Sequence, residues 1–299
     1  MRQIVAAGFA AVGLFSAIAG AEPPPLPFHT IEGYGGGAIT PMAYLVNGGS
    51  KDQPFGLPAA AFSYVNLGQK DLEALTLTET LYGRLEIGYG VDRLGLGKLP
   101  DDIKDATTVD IKRDDVYLHN LNLRFLAIEE NRFGAYTPAV TTGVHFKYNE
   151  GIDSIDHRLG GALTNIGYDR DWGVDFTATA TKTFANVFGR PLILTGGLRA
   201  SQAAQIGALG FGNDYVFTFE GNVAYLPTDW LLLAYEFRQK SNPYDKIPGL
   251  VGDEDNWHAI DASLIIAPHA TIVAGYGVFG NLANADANSA WWLQFKYEF

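Results

Sequence analysis

In 299 residues the chain carries 33 acidic against 21 basic side chains, a net charge of −12 that argues against a nucleic-acid partner, since phosphates call for clustered Lys and Arg. With no cysteine, a secreted chain of this size is held by its sheet and core alone. Only 18% charged residues beside 35 Gly, 18 Phe and 15 Tyr is unusual for a soluble α/β enzyme and suits a β protein with many turns; a mean hydropathy of +0.02 fits a barrel, whose strands average a lipid face and a lumen face.

Arg2 precedes an apolar, Ala/Gly-rich run from Ile4 to Ala19, and the small residues Ala17-Ile18-Ala19 and Ala19-Gly20-Ala21 stand before Glu22-Pro23-Pro24-Pro25. This pattern predicts a secretory signal peptide over residues 1–21, cleaved after Ala21. The alternative, an N-terminal membrane anchor, suffers from the shortness of the run. Nowhere else do ~18 uninterrupted apolar residues occur, as a spanning helix needs. Leu231-Leu232-Leu233-Ala234-Tyr235, for example, is cut off by Glu236 and Arg238.

Residues 22–57 form a Pro/Gly-rich segment. Its run from Gly33 to Gly37 superficially suggests a phosphate-cradling loop, but a dinucleotide fingerprint needs a strand before it and a helix after it. Here a triple proline precedes and Thr40-Pro41 follows, so the glycines fit a sharp turn or a partial plug inside a barrel.

From residue 58 to 299 the chain repeats one unit: about ten residues of alternating polarity, then turn residues, the mark of strands. Strands are expected near 116–128, 138–148, 173–183, 191–201, 214–225, 230–240, 257–266, 270–279 and 290–299. Upstream, two readings compete. One has strands at 58–67, 72–79 and 84–92; the other, weakly preferred, pairs 37–46 with 58–67 and runs 73–91 as one long strand. Either gives twelve strands. Short links such as Leu226-Pro227-Thr228-Asp229 alternate with long polar ones (92–115, 149–172, 202–213, 241–256, 280–289), as expected of a membrane barrel with one short-turn rim and one long-loop rim.

In the last strand Trp291, Leu293, Phe295, Tyr297 and Phe299 share one face. Tyr297 and the closing Phe299 resemble the signal read by the barrel-assembly machinery of Gram-negative outer membranes. The segment His29–Tyr44, together with Thr78–Glu86 and Gly173–Ala180, resembles an outer-membrane family known as domain of unknown function 3034. That resemblance implies an all-β transmembrane barrel in the bacterial outer membrane, with membrane lipids around it, and implies no catalytic residue.

The opposite strand faces predict a polar lumen lined by Arg84, Glu86, Arg124, His145, Lys147, Asp175, Arg199, Glu220, Glu236, Arg238, Asp261, Lys296 and Glu298. Acids and bases nearly balance, so the lining suits either a transverse field across a pore or a salt-bridged network closing it. The six histidines lack close metal-site spacing, and neither metal nor cofactor is expected. Ser63, Ser201 and Ser263 lack a G-x-S-x-G elbow, which argues against a membrane hydrolase. The acidic long loops, with Asp92, Asp101, Asp102 and Asp105 in the first, read as a solvated rim, although bound divalent cations are conceivable. The functional expectation is a passive channel for small polar solutes. The alternative is a non-conducting structural or interaction barrel, or the membrane part of an export or surface assembly.

Overall fold

The computed structural model describes residues 29–48, 54–246 and 252–299. The expected signal peptide lies outside these residues. Twelve strands are present: β1 (Ala59–Asn66), β2 (Asp71–Leu81), β3 (Leu85–Gly95), β4 (Asp115–Ile128), β5 (Ala139–Glu150), β6 (Trp172–Val187), β7 (Arg190–Ala203), β8 (Phe211–Tyr225), β9 (Leu231–Arg238), β10 (Trp257–Ala267), β11 (Ala270–Val278) and β12 (Ala290–Glu298). Each pairs antiparallel with its sequence neighbours, and β1 pairs with β12 to close the barrel. Closure leaves no strand edge unpaired. At the seam Ala59 stands opposite Glu298 and Asn66 opposite Trp291, and the Phe299 amide donates to the Pro58 carbonyl at 2.9 Å.

The alternation in the sequence becomes two chemically distinct faces. Phe62, Leu75, Tyr89, Leu123, Phe176, Leu198, Tyr235, Leu293 and Phe295 point outward and are exposed, forming an apolar belt around the wall. Such a belt is unfavourable in water and is what a bilayer solvates. No helix among the described residues is long and apolar enough to cross a membrane, so any crossing is by strands.

The first of the two upstream readings holds. Residues 37–46 form no strand, and the long strand expected at 73–91 is two strands joined by a tight turn. The Arg84 amide donates to the Leu81 carbonyl at 3.0 Å, and both central residues, Tyr82 (φ 51°) and Gly83 (φ 61°), are left-handed. That is the turn whose twist matches a two-residue hairpin.

The start of β1 and the C-terminal Phe299 share one rim, the terminal rim, with the short turns, including Phe188-Gly189 and Pro268-His269. The opposite rim carries most of the long connections, and these are not bare loops. They contain two short helices, α1 (Leu99–Thr107) and α2 (Ile152–Arg158), and they fold inward. Ile103 of α1, Ile155 of α2, Ile206 and Leu282 join Trp257, Phe279 and Trp292 in one apolar cluster across that end. Asp92, expected in the first loop, instead lies inside on β3, buried, and accepts from Asn120 at 2.9 Å. The strand simply runs three residues further than its sequence pattern indicated.

Candidate functional site

The barrel interior is occupied by the chain's own N-terminal segment. Residues 29–47 enter the barrel as an irregular loop, turn, and come back toward the terminal rim, where the Asn47 side-chain amide donates to the Leu57 carbonyl at 2.8 Å. A single isolated bridge, Gly36 to Pro41, is its only regular element. Pro41 has no amide to donate and Gly33 sits at φ 85°, which fits a compact plug better than a wall strand.

An irregular segment buried in a barrel must find partners for its backbone polar groups, because an unpaired one costs about 1–3 kcal/mol. The wall supplies them through three anchors. Glu236 on β9 accepts from the amides of Ala38 (2.7 Å), Ile39 (3.2 Å) and Thr40 (2.9 Å), and from the Thr40 hydroxyl (2.5 Å). Glu86 on β3 accepts from the amides of Gly35 (3.1 Å) and Val46 (2.6 Å). Arg124 on β4 donates to the carbonyls of Gly35 (2.9 Å) and Met42, and pairs with Glu86 at 2.8 Å. Threonines complete the seat: Thr141 donates to the Ala43 carbonyl and Thr80 to that of Val46, and Thr181 accepts from the Ala43 amide.

Glu32 lies at the far end of the plug, next to the apolar cluster through its neighbour Ile31. Its carboxylate is fully buried and meets three bases from alternate strands: Lys147 on β5, which donates to one oxygen; Arg238 on β9, 2.7 Å from the other; and Arg199 on β7, at 3.7 Å. The Tyr34 hydroxyl donates to the same carboxylate at 2.6 Å and accepts from Arg199 at 2.8 Å. Asp175 and Glu220 bind the bases from the wall side: Lys147–Asp175 3.1 Å, Arg199–Asp175 3.0 Å and Arg199–Glu220 3.2 Å. Burial alone would push the Glu32 carboxyl up, but Arg238, Lys147 and Arg199 outweigh it and hold Glu32 well below the usual carboxylate range. His29, equally buried, moves the other way: burial and the charge of Lys296 bring it down to about 3, so it is neutral and bonds to the Thr78 hydroxyl at 2.8 Å.

Of the thirteen expected lumen residues, twelve lie on the inner face: Glu86, Arg124, His145, Lys147, Asp175, Arg199, Glu220, Glu236, Arg238, Asp261, Lys296 and Glu298 are all buried. Of the two arrangements open to them, a water-filled pore or a salt-bridged network, they form the second: they seat the plug or one another. His145 bridges Asn122 (2.7 Å) and Thr177 (2.9 Å), and its ring lies 4.7 Å from that of Tyr34. Lys296 pairs with Glu298 at 2.5 Å. Asp261 faces Glu236 beside a void of about 10 Å³. A second void, about 30 Å³, lies among Ile31, Trp257 and Trp292, so each has room for only one or two waters. Arg84 is the exception. It continues the inner parity of β3 but sits past the strand end, half-exposed on the terminal rim and paired with Glu129 at 2.5 Å.

Ser63, Ser201 and Ser263 are buried on the inner face, Ser63 accepting from Gln294 at 2.9 Å. Among the described residues no group of three or more His, Asp or Glu side chains could hold a metal ion. The plug residues Glu32 and Tyr34 were not legible as site residues, because their partners lie more than 100 positions along the chain. The only sequence signal was the glycine run itself.

The model of a family described as protein of unknown function, DUF3034, matches residues 27–296. The chain belongs to that family. The match takes in the plug as well as all but the last two residues of β12, so plug and wall are one family unit. No curated protein matches the DUF3034 chain. Among solved structures, it is similar to the KdgM porin (TM-score 0.47, 9% identity, 81% of this chain and 99% of that one) and to the NanC porin (0.46, 9%, 81% and 98%). It is similar also to the Salmonella typhi outer membrane phospholipase (0.38, 10%, 85% and 98%).

Proposed function

We propose that this DUF3034 protein is a gated conduit for small polar solutes in the bacterial outer membrane, held closed by its own residues 29–47. The observation carrying this reading is the chemistry of the wall. A permanently closed barrel of this size would be more stable with an apolar filling, since moving ion pairs out of water costs several kcal/mol per ion. Instead the interior keeps the bases Lys147, Arg199, Arg238 and Arg124, which the plug's Glu32 carboxylate and its Gly35 and Met42 carbonyls help to satisfy when it is docked and water satisfies when it is not, beside the wall carboxylates Asp175 and Glu220. The same wall therefore serves a filled and a hydrated state. The belt of outward apolar residues and the sorting of short and long connections by rim support the membrane location.

Geometry also supports one direction of opening. Both ends of the plug lie toward the terminal rim, whereas the far end is covered by Ile103, Ile155, Ile206 and Leu282. Withdrawal toward the terminal rim needs no threading. The test is liposome swelling in isotonic solutions of small sugars: vesicles carrying a Δ29–47 barrel swell, and wild-type vesicles swell far more slowly. A folded Δ29–47 barrel that admits no sugar would instead establish a non-conducting barrel.

A further inference from the structure

Lys147, Arg199 and Arg238 converge on one carboxylate that the wall itself does not provide. In direct contact with these three cations the wall offers two carboxylates, Asp175 and Glu220, an excess of one positive charge. Asp92 does not close the gap, because its hydrogen bond goes to Asn120. Glu32 does: Lys147 takes one oxygen and Arg238 the other at 2.7 Å, with Arg199 at 3.7 Å, all at 3% exposure or less. This is a built, desolvated receptor for a single –COO⁻ group, with donors on both oxygens. It is seated on rigid strands while its occupant rides on an irregular loop.

We propose that Lys147, Arg199 and Arg238 form a binding site for a small organic carboxylate, and that Glu32 occupies it as an internal stand-in for that ligand. The inference rests on the reading of residues 29–47 as a displaceable plug and names the solute class such a conduit takes. A carboxylate entering from solution competes with Glu32 for the same three cations, so ligand binding and plug docking are mutually exclusive. An anion bound there favours the undocked state by mass action. A cationic or neutral solute gains nothing at this position. When Glu32 leaves without a replacement, three wall bases face two wall carboxylates, an imbalance that selects for a monoanion.

The test is chemical rescue in the detergent-folded full-length protein, using acetate and formate as probes. Glu32→Ala removes the carboxylate and leaves a hole of about its size, lowering Tm by roughly 5–10 °C. Acetate at about 100 mM restores most of that loss saturably, whereas sodium chloride at equal ionic strength and methylammonium do not. In wild type, where Glu32 fills the site, acetate gives no such rise. Equal recovery with acetate and chloride, or none with either, overturns the carboxylate site. Should Glu32→Ala fail to fold, the Δ29–47 barrel is titrated instead: saturable stabilisation by acetate, lost in a Lys147→Met/Arg238→Met background, supports the site, and its absence rejects it. These readouts need no solute passage, so a silent barrel that binds acetate refutes the conduit alone, and a conducting barrel indifferent to acetate refutes the receptor alone.

Discussion

A methyl group added to the wall at Gly88 should expel the plug without touching any charge. Gly88 is on the inner face of β3, and a Cβ there would run directly into the Gly33 carbonyl oxygen. Gly33 cannot step aside easily. Its amide donates to the Thr30 carbonyl at 3.1 Å, and its oxygen accepts from Thr78 at 3.2 Å and Asn122 at 3.3 Å. Overpacking costs about 1–3 kcal/mol, and loosening two hydrogen bonds about 0.5 kcal/mol each, so Gly88→Ala weakens docking by about 2–4 kcal/mol. For the barrel wall alone the sign reverses, because replacing Gly by Ala in a strand favours folding by about 0.5–1 kcal/mol. Since the natural chain has no cysteine, a single A38C at a buried plug position reports undocking through maleimide labelling. The expected labelling rate rises on the order of 30–1000-fold in the G88A background, with the barrel still folded. An unchanged labelling rate would show that Gly88 does not hold the plug's backbone.

Acid should also release the plug. His29 titrates near 3 when docked and near 6.5 when free, so docking is unaffected above pH 6.5 and loses about 1.4 kcal/mol per unit below it; Glu32, held low when docked, adds to the loss below about pH 4.5. A38C labelling, taken at each pH relative to that of the unfolded chain so that the loss of reactive thiolate cancels, should therefore rise between pH 6.5 and 4, and H29N should flatten the upper part of that profile. The two arginines once grouped together should behave oppositely: Arg84→Ala, at a half-exposed pair, changes stability by about 0–1 kcal/mol, whereas Arg124→Met, which leaves Glu86 and two plug carbonyls without their partner, costs about 3–5 kcal/mol by denaturant titration. Leu75→Arg on the outer belt should destabilise the barrel in lipid by about 2–4 kcal/mol, a cost that disappears if that face meets water.

The wall was legible because each strand solves the same problem twice per two residues. Trp291, Leu293 and Phe295 must meet lipid while Trp292, Gln294 and Lys296 turn inward, and that constraint is written locally. The plug obeys no such period. Glu32 is satisfied by Lys147, Arg199 and Arg238, residues distant in sequence, and Gly33 to Gly37 look like any flexible stretch until a wall closes around them. The weakly preferred reading ran through the hairpin at Tyr82-Gly83 for a related reason: alternation continues straight through a two-residue turn, and only the left-handed geometry of a Tyr-Gly pair marks it. Arg84 inherited the correct parity but not the correct place, because parity says nothing about where a strand ends.

Single-channel recording in planar bilayers compares the two states most directly, with wild type and the Δ29–47 barrel reconstituted side by side. Wild type should be silent at neutral pH and the shortened barrel should carry a steady ohmic current. A wild-type current equal to that of Δ29–47 would contradict the plug as the closure of the lumen.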